Sequence, residues 1–114
     1  MNLSKRVEGD AIVIEALDSR IDAAVAIQFK DKMKELTSDP SERVILDLHT
    51  VEFLDSSGLG AVVAAMKLLG SERKLELAGL TPTVAKVFRL TRMDSVFLIH
   101  PSVEEALGTD ASAA

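Results

Sequence analysis

Between Phe53 and Ala61 a hydrophobic segment gives way within a few residues to serine, glycine and alanine, and that change constrains the architecture more than any other feature of the 114-residue chain. Phe53 and Leu54 suit an extended segment. Ser56 or Ser57 can supply an oxygen to the unpaired N–H groups of a helix's first turn, and the residues from Gly58 onward continue at helical spacing. A strand that feeds a helix is the building unit of α/β domains. The junction also carries chemistry, because the first-turn N–H groups that a serine hydroxyl caps would equally bind a phosphate placed on that hydroxyl.

The rest of the chain is consistent with this unit. Leu3 to Val7 and Ala11 to Leu17 flank Glu8-Gly9-Asp10, which predicts an antiparallel hairpin. Asp22 is placed to cap a helix bearing Ala26, Phe29, Met33 and Leu36, closed by Ser38-Asp39-Pro40. Val44-Ile45-Leu46, between Arg43 and Asp47, reads as a central strand covered on both faces, and Val51 to Leu54 lead into the junction. In the helix that follows, Leu59, Val62, Val63, Met66 and Leu69 are expected to pack on the sheet. Gly60, Ala61, Ala64 and Ala65 then form an opposite face almost without bulk, open to close approach by another backbone or a flat surface. Leu75 and Leu77 mark a strand ended by Gly79. Thr81-Pro82 starts a helix with Val84, Val87, Phe88 and Thr91 on one face, and Val96 to Ile99 form the last strand. Ser102 with Glu105 is a capping-box pattern for a short final helix. The expected product is one α/β domain over residues 1–107, with a mixed sheet that is mostly parallel after an N-terminal antiparallel edge hairpin, about four helices, and a flexible tail over 108–114.

Several functions are excluded on chemistry. Eighteen acidic against 13 basic side chains give a net charge of -5 with no dense Lys/Arg cluster, so nucleic acid is not an expected partner. The chain has no cysteine, which removes disulfides and thiolate sites and fits a reducing compartment, the cytoplasm. No segment approaches the ~18 apolar residues of a membrane span, and the start shows alternation instead of an apolar leader. A serine nucleophile in an elbow turn needs glycine two residues to either side. Leu54 precedes Ser56 and Asp55 precedes Ser57 at that spacing, while His49 and His100 belong to no motif that would supply a base. Gly58-Leu59-Gly60 lacks the Gly-Lys-Ser/Thr of a phosphate loop. Asp47 and Asp55 lie near strand ends, as phosphoacceptor aspartates do, but Asp10 is alone where a second acid would be needed to hold magnesium. The two histidines show no carboxylate at ligand spacing, so no metal and no cofactor are assigned, and no catalytic residues.

Val51-Glu52-Phe53-Leu54-Asp55-Ser56-Ser57-Gly58-Leu59-Gly60 closely resembles the signature of the STAS domain of bacterial anti-sigma-factor antagonists. The resemblance extends to Leu46-Asp47-Leu48 before it and to residues 77–84 after it. It implies a non-enzymatic switch protein with Ser56, directly after the aspartate, as phosphoacceptor and Ser57 as second choice. It further implies that the unphosphorylated form binds an anti-sigma factor, a serine kinase of the histidine-kinase-like ATPase fold, and so releases a sigma factor. Phosphorylation ends the interaction and a serine phosphatase restores it. The expected partner surface comprises Asp22, Asp55, Ser57, Gly58, Gly60, Ala61 and Ala64. The chain departs from the family at Ser19-Arg20-Ile21-Asp22, where a glycine often precedes the two residues before the aspartate. The alternative from the same resemblance is a constitutive scaffold subunit of a lipid-transport or stress-signalling complex, in which the serine only caps the helix.

Overall fold

The computed structural model describes residues 1–112, with side chains to residue 108. In chain order the elements are β1 (Leu3–Glu8), β2 (Ala11–Ala16), β3 (Arg20–Ile21), α1 (Ala26–Leu36), β4 (Arg43–Asp47), β5 (Phe53–Leu54), α2 (Ser56–Leu69), β6 (Lys74–Ala78), α3 (Pro82–Leu90), a 3₁₀ turn (Met93–Ser95), β7 (Leu98–His100) and α4 (Val103–Ser112). The main sheet has the order β1-β2-β4-β6-β7. β1 and β2 are antiparallel across a turn in which Gly9 has φ +62°, a conformation open to glycine at little cost. β2, β4, β6 and β7 are mutually parallel. β4 lies at the centre with Val44, Ile45 and Leu46 wholly buried, as the unbroken apolar run predicted. The mixed α/β sheet with an antiparallel edge hairpin and four helices is therefore the architecture found among the described residues.

Alternation along the strands divides the sheet into two unlike faces. Ile12, Ile14, Val44, Leu46, Leu75 and Leu77 belong to one apolar core together with Phe29 and Met33 of α1, Val62 and Leu69 of α2, and Val84 and Phe88 of α3. Ala11, Val13, Ile45 and Ala78 form a smaller cluster with Val103 and Ala106 of α4.

Several local expectations are corrected. β3 and β5 form a separate two-stranded parallel ladder, Arg20 opposite Phe53 and Ile21 opposite Leu54; strands of two residues leave no periodicity to detect. Asp22 does not cap α1. The helix starts four residues later, with Val25 in the cap position and no side-chain cap bond, while the Asp22 carboxylate accepts the Ala24 N–H at 3.1 Å and closes a turn ahead of the helix. Thr81 does precede Pro82 at the start of α3, but its hydroxyl donates to the Val51 carbonyl at 2.8 Å instead of capping. Thr91 is exposed, and the 3₁₀ turn delays the last strand to Leu98. Ser102 Oγ does accept the Glu105 N–H at 3.1 Å, the first half of a capping box. α4 then runs on to Ser112, into the segment for which a tail was expected; residues 113–114 lie outside the described residues.

The face of α2 also differs from expectation. Val62 and Leu69 are buried as expected, but Gly58, Ala61 and Ala65 are buried with them, whereas Leu59, Val63 and Met66 pack against the core only partly buried. Small residues face inward because the helix is drawn close to its neighbours: a Cβ on Gly58 would lie 2.0 Å from the Ile21 carbonyl oxygen. The alanine and glycine stripe is thus split, with Ala61 and Ala65 in the core, Gly60 exposed and Ala64 half-buried.

Candidate functional site

Asp55 organises the serine loop. In extended conformation it occupies the cap position of α2, and its Oδ1 accepts the Gly58 N–H at 2.8 Å. Its other oxygen, Oδ2, accepts the Ala23 N–H at 3.2 Å. One carboxylate thereby fixes both the start of α2 and the loop that leaves β3. The β3–β5 ladder and the backbone contact at Gly58 hold the same two segments together. On the outer surface the Arg20 guanidinium lies 4.0 Å from the centre of the Phe53 ring and its Nε is 3.2 Å from Asp22 Oδ2.

Ser56 and Ser57 are the first two residues of α2, and both are exposed. Because Asp55 is the cap, neither serine performs that function, and no hydrogen bond engages either hydroxyl among the described residues. Asp22 directly precedes Ala23, whose N–H binds Asp55, and it pairs with Arg20; Gly60 is exposed. Gly58 and Ala61, also expected on the partner surface, are buried inside the fold, which corrects their placement on an open face.

Two further polar groups lie on the α4 side of the sheet. Arg43 forms a two-pronged pair with Glu76, Nε to Oε2 at 2.8 Å and Nη2 to Oε1 at 2.6 Å, and Nη2 also donates to the Ala106 carbonyl of α4 at 3.0 Å. His100 Nε2 lies 2.8 Å from Glu76 Oε1. Burial pushes the Glu76 carboxyl up, but the hydrogen bonds from Arg43 and His100 and their charges more than offset this and hold it below its ordinary value. At the ends of β2 and β4, His49 Nδ1 is 2.8 Å from Asp47 Oδ1 and its Nε2 is 3.7 Å from Glu15 Oε2. The Asp47 hydrogen bond raises the His49 pKa against partial desolvation, and the charges of Asp47, Glu15 and Glu104 add to the rise. Both histidines therefore have carboxylate neighbours that were missed in the sequence. The available signal was a glutamate inside each apolar strand, Ile14-Glu15-Ala16 and Leu75-Glu76-Leu77.

A sequence model of the STAS domain matches residues 2–106. A Bordetella bronchiseptica protein assigned as an anti-sigma factor antagonist is 30% identical over 98 residues, covering 85% of this chain and 84% of that protein. The crystal structure of an anti-sigma factor antagonist from Mycobacterium paratuberculosis superposes with a TM-score of 0.84 at 24% identity, over 95% of this chain and 92% of that one. The Bacillus cell fate determinant SpoIIAA, an anti-sigma factor antagonist, is similar in its unphosphorylated form, with a TM-score of 0.76 at 23% identity and 97% of each chain covered. Its phosphorylated form gives 0.67 at 24% identity, over 95% of this chain and 98% of that one. No helix among the described residues is long and apolar enough to cross a membrane.

Proposed function

The chain belongs to the STAS domain family, and from that premise we propose that it is an anti-sigma-factor antagonist whose partner is switched by phosphorylation of Ser56. Unphosphorylated, it binds an anti-sigma factor that is also a serine kinase of the histidine-kinase-like ATPase fold, and a sigma factor is released. The kinase then modifies Ser56 and the complex separates, until a serine phosphatase removes the group. The protein is substrate and binding partner and does no chemistry of its own.

The observation that carries this reading is the exposed, unbonded hydroxyl of Ser56 beside a cap already supplied by Asp55. A serine that only stabilised the helix, as a constitutive scaffold would use it, would occupy the cap itself. Since Ser56 does not, its modification leaves the cap in place and changes mainly the surface. A phosphate there brings about -1.5 to -2 charges, favoured by the helix N-terminus and opposed by Asp55. A partner covering Ser56, Ser57, Gly60, Ala64 and Asp22 would have to bury that charge beside the Asp22 and Asp55 carboxylates, so binding is lost without refolding.

Protein isolated from its own cells, digested with trypsin and fragmented before and after phosphatase treatment tests the acceptor, because cleavage after Arg43 and Lys67 leaves both serines in one peptide, residues 44–67. One phosphate on Ser56 is expected, with Ser56→Ala retaining the partner and Ser56→Asp losing it. Phosphate on Ser57 in the Ser56→Ala protein, or partner binding unaffected by Ser56→Asp, overturns the assignment.

A further inference from the structure

We propose that Glu15 and His49 bind a divalent transition-metal ion of the zinc class at the C-terminal edge of the parallel strands, with Asp47 orienting the imidazole. Glu15 and Asp47 are directly opposite in the β2–β4 register, so both side chains leave the sheet on the α4 side. Asp47 is almost fully buried, and its Oδ1 accepts both the backbone N–H of His49 at 3.0 Å and the ring nitrogen Nδ1 at 2.8 Å. A carboxylate at that distance requires the proton on Nδ1, which leaves the lone pair on Nε2 and turns it outward. This is how histidine ligands are held in metal sites, with a carboxylate behind the ring fixing tautomer and direction.

Nε2 faces Glu15 Oε2 across 3.7 Å, beyond hydrogen-bonding distance. An ion about 2.0–2.1 Å from each donor would subtend an angle of roughly 130°, within a few tenths of an ångström of side-chain movement from tetrahedral. The three residues each offer a ligand atom within 4.8 Å of the others. They open into a cavity of about 450 Å³, which leaves room for water in the remaining positions, and Glu104 of α4 lines the same cavity. Arg6 also lines it, but its Nε lies 3.4 Å from Glu8 Oε2. Charge argues in the same direction, because like charges directly opposite on neighbouring strands repel, and a cation between the ends of β2 and β4 relieves the Glu15–Asp47 pair. A mixed imidazole and carboxylate set favours zinc, nickel or copper over magnesium, which takes oxygen ligands and keeps its waters.

Calorimetric titration of ZnCl₂ into the full chain near neutral pH, with the His49 ring nitrogens followed by NMR, tests the site. One saturable binding event is expected, with its main shift at Nε2, a higher melting temperature in zinc, and no competition from MgCl₂. His49→Ala should melt like wild type without zinc, since the ring is half exposed, and should lose the event. Asp47→Asn and Glu15→Gln should each weaken it by about 10- to 100-fold. Unchanged zinc binding in His49→Ala, the absence of saturable binding, or equal competition by magnesium overturns the proposal.

Discussion

The two faces of the main sheet come from alternate residues of the same strands, yet they are stabilised by different physics. Under α1, α2 and α3 the buried side chains are apolar and the face gains stability from buried area, which needs no particular direction and tolerates changes of pH. Under α4 the apolar cluster is small, and beside it the Arg43, Glu76 and His100 network ties β4, β6, β7 and the Ala106 carbonyl together through oriented bonds. Such a network holds only while its charges are paired. The serine loop belongs to α2 on the first face, so it projects from the platform that is least sensitive to solution conditions.

Deleting bulk from the apolar face should have the largest effect. Phe29 is fully buried, and Phe29→Ala is expected to lower unfolding free energy by about 3–5 kcal/mol, read from the denaturant midpoint at constant slope. Glu76→Gln should come next, at about 3 kcal/mol near neutral pH, because the amide keeps the shape but removes the charge from the buried pair with Arg43. The two differ in pH dependence. Glu76 is held below its ordinary value of 4.5, so its contribution is fully present above that value and is lost as pH falls through the lower folded one. The gap between wild type and Glu76→Gln should therefore narrow in acid while the Phe29→Ala gap persists. Parallel urea titrations across that range would break the contrast if both gaps behaved alike.

On α2 the expected effects are smaller. Asp55→Ala removes the cap and the link to Ala23, a loss of about 1–2 kcal/mol, whereas Ser56→Ala should stay within about 0.5 kcal/mol of wild type. Equal melting temperatures for these two variants would show that the serine, and not the aspartate, closes the helix. Smallest of all, removal of residues 109–114 should leave melting unchanged, because the buried anchors of α4, Val103 and Ala106, precede the cut. A clear drop would show that the end of α4 contributes to the polar face.

These contrasts also explain what could be read from the chain alone. The hairpin, the central strand at Val44-Ile45-Leu46 and the amphipathic α3 follow from local periodicity, and so does α2 beyond the two serines that begin it. The cap did not follow, because Asp55, Ser56 and Ser57 are all competent capping residues and only the turn geometry separates them. On α2 the burial of Val62 and Leu69 follows from spacing, but that of Ala61 and Ala65 does not, because alanine, leucine and valine all tolerate burial and how closely the helix approaches β3 decides which of them fits. Arg43 and Glu76 are 33 positions apart and His100 is a further 24 along, so their meeting depends on strand register, which no local pattern encodes.

Gly58 and Gly60 are two residues apart in one helix turn, and they should have different histories under mutation. At Gly60 an added Cβ meets nothing within 4 Å, so that position can drift, and substitutions there are free to reshape the surface proposed to meet a partner. At Gly58 even alanine collides with the Ile21 carbonyl, an atom of the main chain that no rotamer change can move aside. A lineage could therefore alter the proposed partner surface through Gly60 while any replacement at Gly58 would first require β3 to be rebuilt. The most variable and the most invariant positions of the loop are thus expected side by side, separated only by Leu59.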